Sequence, residues 1–344
     1  MERREFIQRT AAGVAALTLP SWTTAGRETK MGIVVHSYAF RWNSKTPSQK
    51  YPGFATAIDL LQHTADIGAA GIQVVANGWD TDFTKKVRDL REKLGLYLEG
   101  SISMPSKAED VAAFEQTVIN AKEAGATVLR TVTSIGRRYE AYHSAAEVED
   151  FKKKALESIH RAEPILKKHK VQLAVENHKD WTAPELAALM KGLSSEHVGV
   201  TLDFGNSIAL TEQPMDVINT LVPYLVSTHV KDMAVEEYED GFLLSEVPLG
   251  KGIIDLDKAF ALCVKHNPKA KFSLEMITRD PLKIPYKTDE YKAVVPAKPI
   301  DIGALKKKQT MNPPYVSQLS DEQKLAVEEE NILKCIDYSK KKLK

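Results

Sequence analysis

From Met31 to the C-terminus, short apolar and β-branched runs alternate with amphipathic helical stretches, and the alternation repeats eight times. Gly32–Tyr38, Ile72–Val75, Tyr97–Ile102, Val128–Thr133, Val171–Glu176, Val198–Asp203, Leu225–Val230 and Phe272–Ile277 read as strands. Helical periods lie between them and after the last, among them 82–94, 108–124, 147–169, 214–221 and 322–340. Strands separated by helices must lie parallel, because each helix carries the chain back to the end at which it started. Eight such units in about 300 residues fit a closed (β/α)8 barrel of the α/β class better than an open doubly wound sheet. No G-x-G-x-x-G follows the first strand, which weakens the dinucleotide-binding alternative.

Composition narrows the partners. The 344 residues carry 47 Lys+Arg against 46 Asp+Glu, a balance that argues against a nucleic-acid binder. Two cysteines, Cys263 and Cys335, exclude a disulfide scaffold and a Cys-rich zinc module, and both fall in helical patterns expected to bury them. Residues 1–25 read as an export signal rather than as part of the fold. They contain the pair Arg3-Arg4, a short, weakly apolar stretch from Ala11 to Leu19, and small residues at Thr23-Thr24-Ala25. The pattern resembles a Tat signal, which implies a periplasmic or otherwise extracytoplasmic protein without stable membrane insertion. The barrel is then expected over 31–344. Two connections are long: 234–252, with Asp240-Gly241 as a hairpin signal, and 278–320, an aperiodic loop holding six of the 16 prolines.

Each of the last four strands ends with one metal-competent side chain: Glu176, Asp203, His229 and Glu275. Side chains alternate along a strand, so each of these fixes which residues share its face. On that face lie small or polar residues such as Ala174, Thr201, Ser227 and Ser273, while Val175, Leu202, Val230 and Leu274 face the other way. Three carboxylates converging with one imidazole in a barrel need a cation among them. An oxygen-rich set with one nitrogen suits Mn²⁺ first, with Mg²⁺, Co²⁺, Fe²⁺ or Zn²⁺ as alternatives.

The runs Val175-Glu176-Asn177-His178, Leu202-Asp203-Phe204-Gly205-Asn206, His229-Val230-Lys231-Asp232, Pro248-Leu249-Gly250-Lys251-Gly252 and Leu274-Glu275-Met276 resemble the sugar phosphate isomerase/epimerase group of the xylose isomerase-like TIM barrels (the AP endonuclease family 2 superfamily). The resemblance implies that Glu176, Asp203, His229 and Glu275 hold one divalent metal. It also implies that Glu176 and Glu275 move a proton on and off a small carbohydrate through an enediolate, giving an isomerase or epimerase. If a leaving group sits β to the carbonyl, the same chemistry gives a lyase or dehydratase acting on a keto-sugar or 3-keto-glycoside. His36, His178, Asn206, Lys231 and Arg279 are the candidate substrate contacts, and Trp42 and Trp181 could stack on a sugar face. Relative to ketose 3-epimerases the chain departs at three positions, with Asn206 for a His, Val235 for an Arg and Thr182 for a Glu. A nucleic-acid enzyme on the same barrel would need further metal ligands and a basic groove. A homo-oligomer is compatible with the sequence.

Overall fold

The computed structural model describes residues 29–134, 136–296 and 299–343; the export-signal expectation lies outside them. Eight parallel strands close into a barrel. They are β1 (Met31–Val34), β2 (Gly71–Val75), β3 (Tyr97–Ser101), β4 (Val128–Thr131), β5 (Gln172–Glu176), β6 (Val198–Asp203), β7 (Leu225–Val230) and, after two strands outside the barrel, β10 (Phe272–Leu274). β10 pairs with both β1 and β7, which completes the ring. The molecule is a (β/α)8 TIM barrel, as the alternation predicts.

Local chemistry sets the helix ends. Asp80 accepts the Phe83 N–H at the start of helix Thr81–Leu94, and Gly95 ends it in the left-handed region at φ 60°. Ser144 caps helix Ala145–His169 in the same way. Each helix lays its apolar face on the barrel, as Val148, Phe151, Ala155 and Ile159 do, so the main core is the layer between strands and helices. Cys263 and Cys335 are buried and free, and burial pushes both thiols up to about 12.

Three departures from the sequence reading bear on the site. The first strand stops at Val34, and Val35–Tyr38 form a 3-10 turn, so His36 sits on a turn rather than at a strand end. The hairpin comprises β8 (Asp232–Tyr238) and β9 (Gly241–Val247), but its turn is Glu239-Asp240 and Gly241 already pairs with Tyr238. Gly241 is required by crowding: a Cβ there would lie 1.9 Å from the carbonyl oxygen of Ile284. That carbonyl belongs to β11 (Leu282–Ile284), which adds to β9 as a third antiparallel strand. The expected long loop at 278–320 therefore carries a strand and two short helices, Asp289–Val294 and Ile302–Lys306. Trp181 is buried against Phe151 and donates to Thr133 Oγ1, and Trp42 packs partly buried on the core, so Trp181 is a core residue and not a sugar platform.

Candidate active site

Glu176 and Asp203 are the last residues of β5 and β6, His229 is the penultimate residue of β7, and Glu275 follows β10 directly. Parallel pairing sets Asp203 level with His229, and His229 level with Ser273. One donor atom from each of the four residues lies within 4.8 Å of the others, and all four side chains are buried. His229 Nδ1 stands 3.5 Å from Glu176 Oε2, 3.5 Å from Glu275 Oε1 and 3.8 Å from Asp203 Oδ2. Those distances are too long for hydrogen bonds, and Nδ1 has no hydrogen-bond partner. They suit donors sharing one ion, since two ligands at about 2.1 Å from a common centre lie at most about 4.2 Å apart.

The surrounding residues explain why the donors point inward. His229 Nε2 meets Gln73 Oε1 at 2.7 Å, and the Gln73 amide donates in turn to Glu99 Oε2 at 3.0 Å. The carboxylate fixes which end of the amide faces the ring, so Nε2 carries a proton and Nδ1 is the ring nitrogen turned to the carboxylates, as an imidazolium N–H in the metal-free site and as the atom that would ligate an ion. Asp203 Oδ1 accepts the N–H groups of Gly205 and Asn206, leaving Oδ2 toward the other donors. Asn177 ties the ends of β5 and β6 by accepting from the Asp203 N–H and donating to the Asp203 carbonyl. The Pro248–Gly252 run wraps Asp232, whose carboxylate accepts from the N–H groups of Met233, Gly250, Gly252 and Ile254. A Cβ at position 252 would lie 2.3 Å from Asp232 Oδ1, so only glycine fits. This wrapped carboxylate anchors the turn that carries Lys231.

Cations hold the carboxylates ionised. Arg130, from β4, binds Glu176 Oε2 through Nε at 2.6 Å and again through Nη2, and Asn206 Nδ2 donates to Glu176 Oε1 at 2.8 Å. Burial opposes ionisation of Glu176, but Arg130, His229 and His178 together outweigh it and hold the carboxyl well below its usual range. Lys231 Nζ lies 2.5 Å from Glu275 Oε2 and 2.9 Å from Asp203 Oδ2. Against burial, Lys231 and His229 together keep Glu275 well below the ordinary range. Asp203 is pushed up to about 6 by burial, with repulsion from Glu275 and Glu176 outlasting the pull of Lys231. Burial would lower the His229 imidazolium, but the Glu176 and Glu275 carboxylates raise it to about 10. A divalent ion would meet all of these demands at once, and the donor set fits one.

Above the four donors lies a cavity of about 320 Å³ lined by His36, Arg130, Arg137, His178, Lys179, Glu275 and Arg279, with Ala39 and Ile277. Of the predicted substrate contacts, His36, His178 and Arg279 line it. Lys231 and Asn206 instead lie buried beneath it and serve the carboxylates. His178 is lowered to about 4 by burial and is neutral at pH 7; its Nδ1 has no hydrogen-bond partner. Arg279 forms a two-pronged pair with Glu246 of β9. Sequence reasoning missed Gln73, Glu99, Arg130, Lys179 and Glu246. For the first three a signal existed: each is a polar residue alternating with apolar ones, as Gln73 does between Ile72 and Val74.

Residues 61–294 match the model of the xylose isomerase-like TIM barrel family. The chain belongs to that family. Among curated members it is 26% identical over 233 residues to 3-oxo-isoapionate decarboxylase of Pectobacterium atrosepticum, a match covering 66% of this chain and 78% of that protein. D-psicose 3-epimerase of Clostridium cellulolyticum H10 superposes with a TM-score of 0.58 at 12% identity, covering 92% of this chain and all of the other. A xylose isomerase-like TIM barrel protein of Mycobacterium smegmatis, crystallised with magnesium, superposes at 0.55 with 14% identity over 88% of this chain and 98% of the other. At those identities the two structures attest the fold. The family comprises sugar epimerases and isomerases with related lyases and decarboxylases, and a small carbohydrate is the substrate class it suggests.

Proposed function

We propose that this family member is a divalent-metal-dependent sugar isomerase or epimerase in which Glu275 takes a proton from the carbon beside a substrate carbonyl. The observation that carries the reading is the convergence of Glu176, Asp203, His229 and Glu275, with Glu275 alone of the four also lining the cavity. The ion, for which Mn²⁺ is the first candidate, supplies polarisation of the carbonyl and stabilisation of the negative charge left by the departing proton. Lys231 helps hold Glu275 ionised, as a base must be, by binding its Oε2; among the described residues Oε1 accepts no hydrogen bond and faces His229 Nδ1 at 3.5 Å. Half-buried His178 presents a buried Nδ1, without a hydrogen-bond partner among the described residues, for a sugar hydroxyl.

Epimerisation needs a second group to return a proton on the opposite face, and Glu176 is that group in this reading. Both its oxygens are occupied by Arg130 and Asn206, so it can take up a proton only when Arg130 releases it. This asymmetry favours, as a second reading, a lyase: elimination or decarboxylation from a keto-sugar does not require a matched pair of bases. The likeness to a decarboxylase supports the same alternative.

The decisive measurement is substrate α-proton exchange in D₂O with product masses across a panel of ketoses and 3-keto-glycosides. Glu275→Gln is expected to lower exchange at least about 100-fold, and Asp203→Ala to lose the bound ion in metal analysis. Unchanged exchange removes Glu275 as base, and equal metal content in both proteins removes the metal centre. Unchanged product mass indicates isomerisation or epimerisation, and loss of water or CO₂ indicates the lyase. Export through the Arg3-Arg4 segment is part of the proposal: replacing both by Lys should hold the precursor in the cytoplasm, and undiminished export would remove it.

A further inference from the structure

The cavity above the metal donors is lined by four cationic side chains, Arg130, Arg137, Lys179 and Arg279, and by one carboxylate, Glu275. We propose that its mouth binds an anionic oxygen group of the substrate, a carboxylate or a phosphate, through Lys179, Arg279 and Arg137, so that the enzyme acts on acidic rather than neutral sugars. This rests on the proposed function only in placing the sugar's carbonyl end at Glu275.

Lys179 carries the inference. Its side chain is buried, only 4% of the residue being exposed, and its ammonium donates to the Asn206 carbonyl oxygen. Among the described residues no carboxylate comes within 4.0 Å of that ammonium. Burial, then repulsion from Lys231 and Arg279, lower it to about 8 against the smaller pull of Glu246 and Asp203. A buried cation that serves only the fold is normally matched by an anion of the protein; this one is matched by an amide and faces a cavity. Its backbone is also held at φ 70°, a conformation unusual for a lysine.

Charge balance across the site agrees. Arg130 is matched by Glu176, Lys231 by Asp203 and Glu275, and Arg279 by Glu246. Counted together with Lys179, these cations already equal the carboxylates in number. Among these groups a divalent ion added to the four donors leaves two positive charges in excess, set against two further buried carboxylates, Glu99 beneath His229 and Asp180, which accepts the His178 N–H. A substrate bearing one anionic group, and gaining further negative charge as its proton leaves, offsets that excess. Arg279 gives Nε and Nη2 to Glu246, which leaves the Nη1 edge of its guanidinium for an oxyanion. Arg137 stands half-buried at the rim, paired with Glu140. The ligand class thus follows from Lys179, which a neutral ketose would leave without an anion, with Arg279 and Arg137 lining the same cavity.

Calorimetric titration with D-fructose, D-fructuronate and D-fructose 6-phosphate tests this, because the three differ only at C6. At least one charged ligand should bind about tenfold or more tighter than D-fructose, with the advantage shrinking between 50 and 500 mM NaCl. The carboxylate and phosphate arms identify which anion the mouth accepts. The preference should persist in EDTA-treated protein, since the cations belong to the chain. Lys179→Met should reduce it to near parity. Arg137→Gln, at a half-buried rim position where folding is not at stake, should reduce it part of the way. Equal binding of charged and neutral ligands by the native protein, or a preference untouched by both substitutions, overturns the inference. Proton exchange on neutral ketoses without any preference for acids would sink this proposal while leaving the isomerase reading intact. Preferential binding of acids without proton exchange on any ligand would uphold the anion site and sink the isomerase reading instead.

Discussion

His229 shows how a single side chain is prepared for its role by residues that never touch the ion. Its Nε2–H is taken by Gln73, whose amide is oriented by Glu99, and Ser227 Oγ donates to the same Glu99 oxygen at 2.6 Å. These residues come from β2, β3 and β7 and lie below the donors inside the barrel. Replacing Gln73 by Leu keeps the volume and removes the orienting acceptor, so the ring loses both its fixed tautomer and its rotation. Metal affinity is expected to fall about 10–100-fold with little loss of folding, measured by competitive metal titration against a chelator. Unaltered affinity would mean that the ring is held by packing alone. The four donors were legible in the sequence because each stands at the end of an alternating strand. Gln73 and Glu99 were passed over because a lone polar residue in a strand carries no chemistry until the ring closes and brings it under His229.

Elements were read well where they were long and periodic, and poorly where tertiary contacts decide them. All eight barrel strands appear at their expected places, since each has a helix-facing apolar row. The 3-10 turn at Val35–Tyr38 was hidden because the same apolar residues serve a strand or a turn. β11 and the two short helices of 278–320 were hidden because three to six residues are too few to show a period. The 3-10 turn depends on the last helix, Asp321–Lys342: Glu328 accepts the N–H of Phe40 at 2.6 Å and of Arg41 at 3.1 Å. The neighbouring Glu329 pairs with Arg41 at 2.6 Å. Burial raises Glu328 to about 7, more than the two N–H donors and Arg41 lower it. A carboxyl whose folded pKa lies above its unfolded value binds more protons when folded. Its contribution, of order 3 kcal/mol, is complete below about pH 4.5 and is lost as pH rises through about 7. Glu328→Gln should therefore flatten the fall in stability between pH 5 and 8 seen in denaturant titrations. It should also lower stability at pH 5, because an amide can accept only one of the two N–H groups. A variant whose pH profile parallels that of the native protein would show that Glu328 does not titrate there.

Across the molecule the barrel divides its labour by strand. The second half supplies the four donors of the proposed metal centre, while β2, β3 and β4 supply Gln73, Glu99 and Arg130, which orient or neutralise them. The antiparallel sheet contributes Glu246 against Arg279. Convergent carboxylates would ordinarily make a barrel depend on its metal for folding. Here Arg130, Lys231 and the His229 imidazolium already compensate Glu176, Asp203 and Glu275, so the chain is built to fold before any ion arrives. The expected result is a metal-free protein that unfolds cooperatively and is stabilised only by mass action when metal is added. At a free ion concentration about 100 times the dissociation constant, binding adds about 2.7 kcal/mol. At about 2.1 cal/mol/K of unfolding entropy per residue, that corresponds to a rise of roughly 4 °C in Tm for a barrel of this size. The rise should vanish with EDTA and in Asp203→Ala. That variant, freed of one repelling carboxylate but leaving Lys231 with Glu275 alone, should melt within a few degrees of the metal-free native protein. A metal-free protein without a cooperative transition would show instead that the cations do not suffice and that the ion is a structural requirement of the barrel.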